Sequence, residues 1–196
     1  MTRMLIIGPP GSGKGTQAER ISEGLGVIPI STGDIFRANV KGQTPLGFEA
    51  RKYLDAGEFV PDTVTNNMVR ERLSQPDVED GFLLDGYPRT LSQVHYLDQI
   101  LAKSGEKLDV VLQLAVDDAV LVARLLSRGK EAGRSDDNET VISHRLDLYR
   151  AQTEALLDNY ESRGILVRVD GAAAIDVVTS CAFEAMGRTD AILERR

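Results

Sequence analysis

GPPGSGKGTQ, residues 8–17, follows directly on the apolar run MLII (4–7) and opens a helical pattern, GKGTQAERISEGL (13–25). Strand, glycine loop and helix form the context in which G-x-x-x-x-G-K-[ST] cradles phosphate. Gly8, Gly13 and Lys14 satisfy that pattern up to its last position, where Gly15 stands in place of Ser or Thr and Thr16 comes one residue later. Gly11 and Gly13 let successive backbone N–H groups, including that of Ser12, turn inward as an anion nest at the positive end of the helix. Lys14 adds a mobile cation for the outer phosphates. Gly15 has no oxygen to offer a cation, and Thr16 sits about 100° further round the helix. Mg2+ is therefore expected on substrate phosphates and waters, with Asp85 at the end of FLLD (82–85) accepting from those waters. A helix or turn cap is the other reading of Asp85.

Beyond the loop, strand-sized runs alternate with amphipathic ones. VIPI (27–30), FLLD (82–85), DVVLQLAV (109–116) and ILVRV (165–169) join MLII as strands. Helical patterns cover 34–41, 46–56, 63–73, 91–104, 119–128, 140–163 and 175–186. Gly26, Gly42, Gly57, Gly105, Gly129 and Gly164 each follow a helical run, as left-handed C-caps do, and Asp62, Thr90 and Asn138 precede one, as N-caps do. The alternation predicts an α/β fold, a five-stranded parallel sheet with helices on both faces. Two segments exceed a minimal βα alternation: the several helices of 31–73, and the polar connection of 129–137. Insertions of this kind overhang the carboxyl ends of the strands, where ligands bind.

The totals bound the classes of function. At 196 residues, 42% hydrophobic and 27% charged, the chain supports one well-buried core. It has no run near the ~18 apolar residues that span a bilayer, and MTRML (1–5) leaves no room for a signal peptide before the loop, so a cytoplasmic protein is expected. One cysteine, Cys181, excludes an internal disulfide and a multi-cysteine zinc site; it reads as a small buried residue on the last helix. A net charge of −7 without a basic block argues against a nucleic-acid partner. Only six of the 23 basic residues are Lys. Arginine's planar fork suits phosphate oxygens, although a general preference for arginine codons explains the surface ones equally well.

On the residues alone, Arg128 either complements its helix C-terminus or reaches a phosphate, Arg134 and Arg145 read as solvated charges, and Phe59 and Val60 read as core. His95 and His144 have no partner at metal or triad spacing and read as surface or packing histidines.

ISTGDIFR (30–37), GFLLDGYPRTLSQ (81–93) and the arginines of 128–145, together with GPPGSGKGTQ, closely resemble the nucleoside monophosphate kinases, in the branch of the bacterial adenylate kinases. The resemblance covers essentially the whole chain, and GKGT is the usual form of the loop in that family. It implies a single domain with a core (1–30, 61–126, 138–196), an AMP-binding insert (31–60) and a lid (127–137). It implies phosphoryl transfer from Mg-ATP to AMP giving two ADP, in line, without a covalent intermediate, serving adenine nucleotide homeostasis. No general base is needed, because the attacking AMP oxygen is already ionised; converging cations and exclusion of water are.

The family's roles carry over position by position. Lys14, Arg89, Arg128, Arg134 and Arg145 stabilise charge. Gly11, Ser12, Gly13, Lys14, Gly15 and Thr16 hold the ATP phosphates, Arg128 reaches ATP, and the backbone of Ala173 lies beside the donor adenine. Arg37 and Arg89 clamp the AMP phosphate, with Arg134 and Arg145 closing over it. Thr32 and Gln93 face the acceptor adenine, the segment Glu58–Phe59–Val60 edges it, and Gly86, Tyr87 and Pro88 line the floor. The lid has the short form, without the four cysteines that bind structural zinc in longer ones, so it covers less of the site. The substrates ATP, AMP and ADP are the expected partners, and a monomer is expected. A pyrimidine monophosphate kinase of the same fold typically has Ala at position 32 and Asn at position 93. A regulatory GTPase would need an N-K-x-D motif, which is missing. A non-catalytic nucleotide-binding module is disfavoured by the arginine set.

Overall fold

Apolar β-branched runs flanked by glycine turns become five strands: β1 (Thr2–Ile7), β2 (Ile28–Ser31), β3 (Gly81–Asp85), β4 (Val110–Ala115) and β5 (Leu166–Asp170). The computed structural model describes residues 1–132, 134 and 136–193, apart from the side chains of Ala132 and 188–193. The helices are α1 (Lys14–Leu25), α2 (Thr32–Lys41), α3 (Pro45–Ala56), α4 (Asp62–Leu73), α5 (Leu91–Lys103), α6 (Asp118–Ala132), α7 (Glu139–Leu148), α8 (Ala155–Ser162) and α9 (Ile175–Leu193).

The strands form one parallel sheet in the order β2-β3-β1-β4-β5. β1 shows why it is central. Met4 and Ile6 pack with Ala18 and Ile21 of α1 and Val178 and Ala182 of α9, while Leu5 and Ile7 face Val94 and Leu97 of α5 and Leu156 and Tyr160 of α8. A strand covered on both faces reads as a continuous apolar run, which MLII is. The chain leaves β1 for β2 on one side and later crosses to β4 on the other, so the direction of winding switches at the carboxyl end of β1. Open α/β sheets bind ligands at such a point. The register Ile6 opposite Asp85 sets that carboxylate beside the start of the glycine loop.

Several local expectations are corrected. The connection expected over 129–137 is shorter, because α6 continues to Ala132. Gly129 is thus inside a helix rather than capping one; a Cβ there would lie 2.7 Å from the Asp137 carbonyl oxygen, so the glycine makes room for the returning chain. Gly42 has a right-handed φ of −78°, and Gln43 takes the left-handed turn instead, at φ 51°. Thr90 and Asn138 cap their helices as expected. Asp62 is instead the first residue of α4, and its carboxylate accepts from Gln93 and Thr90. The single helix expected over 140–163 is α7 and α8 joined by a π turn, Tyr149–Thr153, in which the Glu154 N–H reaches the Tyr149 carbonyl five residues back. Cys181 is exposed, because α9 turns Val178, Ala182 and Met186 inward at helical spacing.

Candidate active site

A cleft of about 410 Å3 opens at the carboxyl ends of β1, β2 and β3. Its base is the glycine loop. Gly11 and Gly13 have φ of 84° and 92°, a region that residues with a Cβ rarely enter, so the loop's turn depends on them. The Ser12 hydroxyl is buried 2.7 Å from where a Cβ on Gly8 would lie, which leaves the backbone of Ser12 to face a ligand. The Lys14 ammonium donates to the carbonyls of Gly8 and Pro9, at 2.7 and 2.9 Å. Gly15 and Thr16 line the same wall.

On the floor, Asp85, Lys14 and Arg89 perturb one another. Burial pushes Lys14 down to about 8; Asp85 opposes this, and the guanidiniums of Arg89, Arg145 and Arg128 add to it. Burial and then Arg145 lower Arg89 to about 10. Burial raises Asp85 above the usual carboxylate range despite Lys14 and Arg89. Arg89 has no carboxylate within ion-pair distance among the described residues. Its Nε donates to the Gly86 carbonyl at 2.8 Å and its guanidinium lies 4.9 Å from the centre of the Phe59 ring. Gly86, Tyr87 and Pro88 complete the floor.

The rim arginines are paired. Arg37 on α2 binds Asp34 at 2.5 Å. Arg128 on α6 forms a two-pronged pair with Asp137, at 2.6 and 2.8 Å. Arg145 on α7 contacts Asp136 at 2.7 Å and Asp137 at 2.9 Å. Burial alone would raise Asp34 and Asp137; the arginines outweigh it and hold both below the usual range. Arg134 faces the same cleft, where burial and the nearby Arg37 and Arg128 lower its pKa.

The residues expected around the two bases lie behind this wall. Thr32 is buried and donates to the Asp85 carbonyl at 3.3 Å. The buried Gln93 amide accepts from the Arg89 N–H and donates to Asp62, both at 2.7 Å. The Val60 side chain is core and its carbonyl accepts from Thr65, whereas the Phe59 ring lines the cleft. The Glu58 carboxylate reaches across to His144 at 2.7 Å, so His144, like His95 an exposed residue, has a distant partner. Ala173 packs against the core beside α9.

Three cleft residues are not marked by the sequence motifs. Asp34 stands inside STGDIFR, where the arginine draws attention from it. Arg124 donates to the carbonyls of Gly171 and Ala172, at 2.9 and 3.2 Å, and so ties α6 to the turn carrying Ala173. Its four-residue spacing from Arg128, one helical face, is a usable signal. Thr153 on the π turn also lines the cleft, and no motif announces it.

The model of the family described as adenylate kinase matches residues 6–165. The adenylate kinase of Pseudarthrobacter chlorophenolicus is 73% identical over 186 residues, 95% of this chain and 97% of that protein. Those of Renibacterium salmoninarum and Kocuria rhizophila are 69% and 64% identical, covering 91% and 96% of this chain and 93% and 100% of theirs.

Proposed function

This chain belongs to the adenylate kinase family, and on that premise we propose how its cleft performs the family's reaction, the reversible transfer of the terminal phosphoryl group of ATP to AMP to give two ADP. The observation that carries the reading is electrostatic. A chain of net charge −7 gathers Lys14 and six arginines (37, 89, 124, 128, 134 and 145) around one cleft above a phosphate loop.

The donor phosphates lie in the loop against Lys14, with the guanidiniums of Arg128, Arg134 and Arg145 above. The acceptor phosphate lies against Arg37 and Arg89. A bond forms from an AMP phosphate oxygen to the terminal phosphorus as the bond from that phosphorus to the bridging oxygen of ATP breaks. The charge spreads onto oxygens that the cations surround, and no proton has to be removed from the nucleophile. Bound with the donor, Mg2+ would neutralise phosphate charge. The donor set fits a cation held by phosphates and waters: Asp85 stands at the loop, and no group of three or more His, Cys, Asp or Glu among the described residues forms a protein cage.

The donor adenine is assigned to the turn at Ala173, where Arg124 fixes the neighbouring carbonyls. The acceptor adenine is assigned to Thr32 and Gln93, edged by the backbone of 58–60. The Gln93 amide is already oriented by Arg89 and Asp62, and one of its N–H groups and one lone pair are left over for a base. Closure of the insert (31–60) and of a lid over 127–137, which includes the end of α6, completes the site and excludes water. A monomer is part of this reading. Among the described residues no helix is long and apolar enough to cross a membrane, and a cytoplasmic role in balancing adenine nucleotides fits the reaction.

The test is ADP formation from Mg-ATP with AMP, UMP, CMP or GMP as acceptor, beside a control without acceptor. Strong preference for AMP is expected. Preference for UMP or CMP would overturn the roles of Thr32 and Gln93, and transfer to none would leave a binding module.

A further inference from the structure

Arg89 precedes the cap of α5, so its carbonyl receives no helical N–H; the first α5 bond of that turn runs from Val94 to the Thr90 carbonyl. A carbonyl withdrawn from solvent even in part favours a donor of its own. It comes from a distant part of the chain: the Thr153 hydroxyl donates to the Arg89 carbonyl at 3.2 Å. The Arg89 N–H is fixed by the Gln93 amide at 2.7 Å. Side chains therefore clamp both backbone polar groups of this one residue, one from α5 and one from the π turn.

The clamp matters because the guanidinium itself is loosely held. It has no carboxylate partner among the described residues and leans on a carbonyl and the face of Phe59. Its direction is therefore set by the backbone from which it springs. Thr153 is buried and lies in the π turn, a helical irregularity that recurs at functional sites. The same continuous segment carries Arg145, eight residues earlier, over the cleft.

We propose that Thr153 is a positioning residue for phosphoryl transfer: it aims Arg89 at the acceptor phosphate and links that arginine to the segment bearing Arg145. This rests on the reading of Arg89 as the acceptor-phosphate clamp. The hydroxyl is the working group, so Thr153→Val, of nearly the same shape, removes it, and Thr153→Ser keeps it. Steady-state kinetics of the full chain, with each substrate varied in turn, should show the AMP KM of Thr153→Val raised about 5–10-fold, the worth of one hydrogen bond. The ATP KM should change less than about twofold, and Thr153→Ser should return the AMP KM to within about twofold of the parent.

Thr153→Val also loses some thermal stability, so the split between substrates and the serine rescue are the deciding readouts. In an Arg89→Met background Thr153→Val should raise the AMP KM no further, because the group it aims is gone. An unchanged AMP KM in Thr153→Val overturns the proposal, as do equal losses for both substrates or a second loss in the Arg89→Met background. If Arg89→Met itself leaves the AMP KM unchanged, the clamp reading fails first, and the positioning role falls with it.

Discussion

Among the described residues, the side chains of Lys14 and Arg89, on the floor of the cleft, hydrogen-bond only to backbone carbonyls, with the Phe59 ring against Arg89, whereas Arg37, Arg128 and Arg145 on its rim each grip a carboxylate. The rim partners are near in sequence: Asp34 for Arg37, and Asp136 and Asp137 for Arg128 and Arg145. Each of these rim arginines thus has a carboxylate partner from its own stretch of chain. The floor cations make no ion pair among the described residues; Asp85 acts on both and Asp136 on Arg89, yet burial lowers both. On the function proposed above, an arriving phosphate would relieve an unmet charge on the floor but would have to displace an aspartate on the rim. That reading predicts binding energy concentrated on the floor and closure governed by the rim.

The largest expected effect therefore belongs to the floor. Lys14→Met removes a desolvated cation from the donor phosphates and should lower kcat on the order of 10³-fold, comparable to losing an oxyanion donor. The fold should survive, because the side chain ties only two carbonyls of its own loop. Turnover assays beside a thermal melt check this. A loss below about tenfold would remove the distinction between floor and rim.

Asp137→Asn sharpens the comparison from the other side. The Asp137 carboxylate has no exposed surface and serves two arginines. Without it, Arg128 loses the carboxylate it grips and Arg145 keeps Asp136, and stability should fall by about 1–3 kcal/mol, read in denaturant or heat. kcat should fall less than in Lys14→Met, since both arginines remain. Because the folded-state pKa of Asp137 is depressed, its contribution is fully present above the unfolded carboxylate range and is lost as pH falls through the lower folded value. The melting temperature of the parent should thus drop more steeply in acid than that of Asp137→Asn.

This contrast is only half visible in the chain. The phosphate loop is legible because its parts are contiguous and each has a local reason: strand, positive-φ glycines, helix. The five strands are legible because both faces of the sheet are covered. The rim is harder. Gly129 reads as a helix stop, yet it is a close-packing glycine under Asp137, so α6 runs on past it to Ala132. Asp136 and Asp137 suggest helix capping as readily as arginine partners, since a nine-residue separation has no fixed geometry before the chain folds. Thr153 and Arg124 act through backbone carbonyls 64 and 47–48 residues away, and no local pattern encodes such a contact. Cys181 reads as buried because α9 is apolar enough to hide which of its faces turns inward.

A smaller effect tests the unmet charge directly. With Lys14 at about 8 in the folded protein and 10.5 ordinarily, the unfolded chain holds more protons between those values, so this residue makes stability rise with pH across that window. ATP phosphates favour the ammonium, so nucleotide binding near pH 8.5 should take up roughly three quarters of a proton, and little at pH 6.5. Calorimetry in buffers of different ionisation enthalpy reads the uptake. It should vanish in Lys14→Met.

The smallest expected effect lies outside the cleft, at a cross-cleft pair that touches neither floor nor rim cations. His144 on α7 meets Glu58, just beyond α3, at 2.7 Å, with both side chains nearly half exposed. Solvent screens such a pair, so His144→Ala should change stability by no more than about 0.5 kcal/mol and leave kcat within about twofold. Beside the pair, a Cβ on Gly57 would lie 2.7 Å from a Val141 methyl, so the chain just beyond α3 meets α7 closely even without that hydrogen bond. If His144→Ala instead raised the KM for AMP several-fold while the melting temperature held, the insert would depend on an exposed latch. Closure would then be governed at the mouth of the cleft as well as by the rim aspartates.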